Sequence, residues 1–475
     1  MTFNEFINYF IESYLLLILL YAVILMSSYV ILSSLSLSEL RSYIRKNSFV
    51  NYDLLLSSEF APALSLIAPA YNEGLTIEEN VKSLLSLSYN NFQVIVVNDG
   101  SKDNSMELMI HTYNLVKVDI NYDPKIKTKN VKAIYKSKNS AFKKLLVVDK
   151  ENGGKADALN LGINIAENPY IVCIDVDCIL DRDSLLKLAK PFMESSTQRV
   201  IATGGVVRIA NQCIIKDGRL VEVNVPDKLI PRIQVLEYLR AFLLGRMAWE
   251  KLDGLLLISG AFGAFDKEIA ILAGGYNTKT VGEDMELVVR MRRYMHEQGL
   301  PYTVKYIPDP LCWTEAPESF SIFKKQRSRW MRGTIETLWT HRKMLFNPKY
   351  KLLGLLSMPY WTFFEFLAPF IEFVGWVITL VFVYYGIIDW SIFVLLLMFV
   401  YFYSIAFSVL ALLTEELTYQ KYSKVKDYLK LLKGAFIEPF YFHLMAVYAA
   451  MFGYYEKIKG TSGWGEMTRK GFNKK

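Results

Sequence analysis

The chain is poor in the residues that build metal clusters and disulfide frameworks. Its four cysteines, Cys173, Cys178, Cys213 and Cys312, have neither zinc-like nor disulfide-like spacing. They read as small buried residues of a reduced compartment. The four histidines are scattered and form no metal constellation. No nucleic-acid motif is present. The net charge of +7 is modest and its basic residues flank apolar runs, which suits anionic lipid headgroups better than nucleic acid. Gly153-Gly154-Lys155 is not a P-loop: Ala156 stands where Ser or Thr is needed, and no glycine sits five residues before Gly154.

Apolar residues are in excess, at 52% of the chain, above the globular norm. The excess sits at the two ends, which implies a membrane protein with a soluble middle. Tyr14 to Leu35 is 22 residues without a charge, long enough to cross a bilayer core. It is too long for a signal peptide, and no Ala-x-Ala site follows. Glu5 and Glu12 precede it and Arg41, Arg45 and Lys46 follow, so the N-terminus is expected outside and the middle in the cytoplasm. Trp390 to Thr414, 25 uncharged residues, is a second span. Leu352 to Ile388, interrupted by Pro359, Glu365, Pro369 and Glu372, is expected to hold an interfacial helix and then one span. Gly434 to Tyr455 carries Glu438, Pro439 and His443 and reads as a span lining a polar path. These spans put the C-terminus outside, whereas Lys457, Lys459, Arg469, Lys470, Lys474 and Lys475 favour inside. The expected domains are an N-terminal membrane helix (1–40), a soluble α/β domain (60–345), interfacial and transmembrane helices (346–456) and a basic tail (457–475) of a multi-pass plasma-membrane protein.

The soluble middle alternates strand, turn and helix, the pattern of parallel βαβ units. Leu64–Ala68 is a strand closed by Pro69-Ala70-Tyr71-Asn72-Glu73-Gly74, and Thr76–Leu87 has helical spacing. Phe92–Val97 is a strand followed by Asn98-Asp99-Gly100-Ser101. Residues 117–144, rich in lysine, read as a solvated insertion. Leu145–Val148 leads into Asn152-Gly153-Gly154-Lys155 and a helix over Ala156–Ala166. A Gly-Gly-Lys turn at a helix N-terminus suits an anion, or is a plain turn and cap.

Ile171 to Cys178 is an apolar run ending in Asp175 and Asp177. Strand alternation sends both carboxylates to one side, beyond a strand's carboxyl end where ligands gather. Two hard oxygen donors there suit Mg²⁺ or Mn²⁺ carrying a diphosphate, although a solvated strand end also explains an isolated Asp-x-Asp. Further on, Thr203–Ile209 looks extended and Gln234–Trp249 helical. Ile258–Gly263 is small enough for a ligand to approach the backbone. Gly282-Glu283-Asp284 opens a helix through Arg293, where acidic residues also serve as caps.

Joined to Gln326-Arg327-Ser328-Arg329-Trp330, these motifs resemble the processive membrane family 2 glycosyltransferases, the group of cellulose, hyaluronan, chitin-oligosaccharide and poly-N-acetylglucosamine synthases. The resemblance covers about Ala63 to Gly333 and the membrane helices, and residues 152–160 are most similar to the poly-N-acetylglucosamine and chitin-oligosaccharide branch. Asn98 departs from the second Asp of many members, and a single apolar span precedes the catalytic domain where several relatives have two. The resemblance implies an α/β GT-A (Rossmann-like) cytosolic domain inserted between transmembrane helices. It implies inverting transfer from a UDP-sugar, with UDP-N-acetylglucosamine the expected donor, to a growing β-linked polysaccharide carried across the bilayer. Small membrane or export subunits are further expected partners. It places Ala70, Tyr71 and Glu73 at the nucleotide, Asp99 at the uracil edge and Lys155 by the diphosphate. Asp175 would approach ribose or metal and Asp177 the metal. Asp284 would be the general base, with Glu283 beside the acceptor. Gln326 and Arg329 would hold the diphosphate, and Trp330 the acceptor sugar. The alternative within the same chemistry is transfer of one sugar to a polyprenyl phosphate.

Overall fold

The computed structural model describes residues 3–58, 60–194, 197–216, 218–422 and 424–461. Most of the expected basic tail, from 462 onward, lies outside these residues. The strands are β1 (Leu64–Ala70), β2 (Phe92–Asn98), β3 (Leu115–Val118), β4 (Val131–Ser137), β5 (Leu145–Lys150), β6 (Tyr170–Ile174), β7 (Ile179–Leu180), β8 (Arg199–Ile209), β9 (Ile214–Lys216), β10 (Arg219–Glu222), β11 (Phe262–Asp266) and β12 (Tyr302–Thr314). Ten of them form one mixed sheet in the order β3-β4-β5-β2-β1-β6-β11-β8-β12-β7. Strands β5, β2, β1 and β6 are parallel, and β11 runs antiparallel between β6 and β8. The central strands are mostly apolar because helices cover the sheet, burying Leu64, Val94, Val147 and Val172 completely. Gly162 lets the helix Lys155–Ile165 lie on β1, since a Cβ there would meet Ile67 Cγ2 at 2.2 Å.

Residues 117–144 are not an irregular insertion. They contribute the end of β3 and all of β4, which extend the sheet antiparallel from β5. Between them Ile126 is buried and exchanges two hydrogen bonds with Asn164, at 3.0 and 2.7 Å. The lysines that gave the stretch its solvated look are the kind that protect a sheet edge.

Among the described residues, four helices are long and apolar enough to cross a membrane, one near the N-terminus and three towards the C-terminus. The first, Phe3–Asn47, outruns the expected boundary at residue 40. Its C-terminal end docks on the sheet domain: Tyr43 Oη donates to Asp309 Oδ2 at 2.6 Å and Lys190 Nζ to Asn47 Oδ1 at 2.7 Å. The segment from Leu353 winds through α and π turns before Ala368–Tyr384, with Pro369 in the first turn where its missing N–H is harmless. Trp390–Thr418 is capped by Asp389 and anchored by the buried Arg208–Glu415 pair to β8. The last helix, Val425–Ile458, is the least apolar of the four. Both of its ends touch the sheet domain: Lys430 pairs with Asp227 and Lys457 with Glu336, each at 2.7 Å, and Glu438 in its middle pairs with Arg240.

Candidate active site

The loops after β1 and β2 are stapled together. Asn72, in the left-handed conformation that asparagine tolerates (φ 56°), donates its N–H to Ser101 Oγ and accepts from Lys102 N through Oδ1, at 2.9 and 2.8 Å. Gly74 N–H donates to Asp103 Oδ2 at 2.9 Å. This fixes Ala70, buried at the end of β1, beside Tyr71, which is 45% exposed, and the half-buried Glu73.

Asp99 is buried and faces the next turn. Its Oδ1 accepts from Lys150 Nζ at 2.6 Å and Gly153 N at 2.9 Å, and its Oδ2 from Gly154 N at 2.8 Å. Both oxygens of Asp99 thus hold the turn that follows β5. Asn98 likewise turns inward and donates to Asp149 at 2.7 Å. The turn that Asp99 holds, with Gly154 at φ 86°, starts the helix bearing Lys155.

Strand β6 stops at Ile174, so alternation is not what brings the two aspartates together. Asp175–Cys178 form a turn closed by Cys178 N–H donating to Asp175 O at 3.0 Å. Ligand atoms of Asp175, Asp177 and Cys178 thereby lie within 4.8 Å of one another. The two carboxylates are the hard donors that Mg²⁺ or Mn²⁺ takes.

Glu283 and Asp284 begin the helix Glu283–Glu297 and make different contacts. Glu283 is 2% exposed and faces Lys155 Nζ at 3.8 Å. Burial pushes its carboxyl up to about 7, and Asp284 adds to this against the pull of Lys155 and Arg329. Asp284 Oδ2 accepts from Gly260 N at 2.9 Å and its Oδ1 from Met285 N at 2.8 Å. Lys155 Nζ also meets Asp175 Oδ1 at 2.5 Å and Gly260 O at 3.5 Å. Burial alone would lower the Lys155 ammonium, but Asp175 and Glu283 outweigh it and the net shift is upward.

Gly282 packs on Gly333 of the helix Phe320–Thr340, where a Cβ on Gly333 would sit 2.7 Å from Gly282 Cα. Gln326, Arg329 and Trp330 of this helix line the same cavity as Asp284. Trp330 is 39% exposed, and the Arg327 guanidinium lies 4.2 Å from its ring centre. A bidentate pair with Glu237, at 2.7 and 2.6 Å, holds Arg327 in place.

One cavity of about 1570 Å³ is lined by Lys155, Asp175, Glu283, Asp284, Gln326, Arg329 and Trp330, and it continues past Glu365, Glu372 and His443 along the long apolar helices to Asp389. Ala70, Tyr71, Glu73, Asp99 and Asp177 do not line it. Sequence reasoning missed Glu237 and the Gly282–Gly333 contact. No motif marks Glu237, but an isolated glycine inside a helical pattern is a signal of close packing.

The family described as Glycosyl transferase family group 2 matches residues 170–405, and Glycosyl transferase family 2 matches 65–127 and 127–212. Poly-beta-1,6-N-acetyl-D-glucosamine synthase of Staphylococcus aureus (strain COL) is 30% identical over 326 residues, 67% of this chain and 65% of that protein. The synthase of the same name from Staphylococcus epidermidis is 29% identical over 299 residues, 62% of this chain and 60% of that one. The chain thus spans less than two thirds of the length of these curated relatives. Among solved structures, the mannosyltransferase PcManGT of Pyrobaculum calidifontis, in complex with GDP-Man and Mn²⁺, superposes with a TM-score of 0.50 at 16% identity, over 92% of this chain and 100% of that one. That likeness speaks for the fold alone: a mixed sheet of GT-A type. Fold, motif order and the two family matches agree that the chain belongs to glycosyl transferase family 2.

Proposed function

We propose that this chain is a membrane-embedded inverting hexosyltransferase that polymerises a β-linked polysaccharide from a UDP-sugar and passes the product through its own membrane helices. One observation carries the reading: a single cavity joins Lys155, Asp175 and Asp284 to the membrane helices. The similarity to poly-N-acetylglucosamine synthases supports UDP-N-acetylglucosamine as donor.

On the donor side, Ala70, Tyr71 and Glu73 receive the nucleotide and Asp99 fixes the turn that presents Lys155 to the diphosphate. Asp175 and Asp177 would hold Mg²⁺ or Mn²⁺, which neutralises charge on the leaving group when bound. Arg329 and Gln326 hold the diphosphate from the opposite wall, the arginine through charge-assisted hydrogen bonds. On the acceptor side, Asp284 takes the proton of the attacking hydroxyl, a step worth roughly 10²–10⁴-fold. The Gly260 N–H aims its carboxylate, and Trp330 offers a flat face to the acceptor sugar. In-line attack opposite the diphosphate inverts the anomeric centre, so an α-linked donor yields a β-linkage.

The catalytic domain, residues 60–345, is proposed to be cytoplasmic, with three spans crossing the membrane. Contacts at both ends of Val425–Ile458 support a helix lying along the inner membrane face. Three crossings from an outside N-terminus leave Lys457 and Lys459 on the cytoplasmic side, in line with the positive-inside rule.

The test is UDP release by purified protein in detergent with a panel of UDP-sugars, followed by digestion of the product with linkage-specific hydrolases. Polymer from UDP-N-acetylglucosamine is expected. Polymer made only from another donor would overturn the sugar assignment. A single-sugar product that extracts into organic solvent would identify a polyprenyl-phosphate transferase instead.

A further inference from the structure

Lys155 stands between the two halves of the site. Its ammonium contacts the Asp175 carboxylate at 2.5 Å on the donor side, and Glu283 at 3.8 Å and the Gly260 carbonyl at 3.5 Å on the acceptor side. Its side chain is 14% exposed and that of Asp175 is 28% exposed. Asp175 is also one of the two carboxylates suited to a divalent cation. A divalent ion on Asp175 would lie within a few ångströms of this ammonium, where like charges repel strongly in a partly buried site. Asp175 therefore cannot serve both cations well at once. A diphosphate resolves the conflict. Its oxygens accept from the ammonium and also ligate the metal, and the flexible four-carbon stem of lysine allows the move.

Resting on the metal and diphosphate assignments above, we propose that Lys155 is a latch on the metal site: it occupies Asp175 until a nucleotide diphosphate draws it away, so that metal and nucleotide bind as a coupled pair. Coupling of this kind is reciprocal, the metal raising nucleotide affinity by the same factor. It would keep the enzyme from holding a bare divalent ion beside Asp284 between turnovers.

The experiment is Mn²⁺ titration of the purified full-length protein in detergent, reading free Mn²⁺ by electron paramagnetic resonance with and without UDP. For the wild type, UDP should tighten Mn²⁺ binding by roughly tenfold or more, the scale on which one neighbouring charge changes a carboxylate's affinity for a cation. Lys155→Met should bind Mn²⁺ without UDP roughly tenfold more tightly than wild type and lose most of the UDP-dependent gain. Lys155→Arg, which keeps the charge, should behave like wild type. Lys155→Gln replaces the methionine variant if that fails to fold. A folded neutral variant whose Mn²⁺ affinity without UDP is unchanged or weaker overturns the latch. Wild-type Mn²⁺ binding by Asp177→Asn in the presence of UDP would show that the metal site itself is misassigned, and the latch would fall with it.

Discussion

The two sides of the site are built differently. The proposed donor side is made of turns at strand ends that lie outside the cavity behind Lys155 and Asp175, cross-linked by hydrogen bonds: Asp99 to Gly153 and Gly154, Asn72 to Ser101 and Lys102, Gly74 to Asp103. The proposed acceptor side is made of two helices that meet through glycine, Gly282 on Gly333, and opens onto the long apolar helices. In the proposed reaction the donor is the same at every cycle, which suits a rigid turn scaffold fixed to a buried sheet, whereas a growing chain would have to slide, which suits helix faces with an open path. Substitutions on the two sides should therefore separate nucleotide binding from elongation.

The largest effect is expected at Asp284. Asp284→Asn keeps shape and hydrogen bonding but cannot take a proton, so turnover should fall roughly 10²–10⁴-fold while UDP affinity holds. Rate measurement beside UDP calorimetry checks this, and a collapse of UDP binding would erase the contrast between the two sides. Next is the helix contact. Gly333→Ala puts a methyl into Gly282, and a shift of about 1 Å between base and acceptor should cost about 10²-fold in rate, again with UDP binding retained. Trp330→Ala should slow elongation of a supplied oligosaccharide roughly tenfold, the scale of losing one well-placed aromatic face, and leave UDP affinity within a few-fold. Loss of UDP affinity with elongation intact would assign Trp330 to the other side.

The smallest catalytic effect is expected at Glu283, together with a pH signature. Its carboxyl stands at about 7 in the folded protein against an ordinary 4.5. The folded state thus keeps a proton that the unfolded chain has released. Stability falls as pH rises between these values and is level above them. Glu283→Gln removes the penalty, up to about 3 kcal/mol at pH 8. Its thermal midpoint in detergent should exceed wild type at pH 8 and match it at pH 4. Its rate should drop far less than that of Asp284→Asn; the reverse order would move the base to Glu283.

The sequence by itself determined the local facts. Apolar runs of the right length marked the strands on either side of the nucleotide loops and the first and third membrane helices. Turn chemistry marked Ala70–Gly74 and Asn152–Lys155, and charge placement marked the pairs Asp175/Asp177 and Glu283/Asp284. Each of these depends on neighbours within a few residues. Tertiary structure decided whatever depends on distant partners. Strand β6 ends before Asp175, whose N–H donates to Ala261 O at 3.4 Å, so a turn and not strand alternation brings the two carboxylates together. Asp99 is spent on Gly153 and Gly154 because β2 and β5 lie side by side, 51 residues apart at Asn98 and Asp149. The lysine-rich stretch became edge strands because β5 offered it unpaired backbone groups, which no local pattern reveals. Val425–Ile458 is apolar enough to cross a membrane, and only the structure shows that it also pairs with Asp227 and Glu336 of the sheet domain. Hydropathy counts apolar residues, but only packing says which partner covers them.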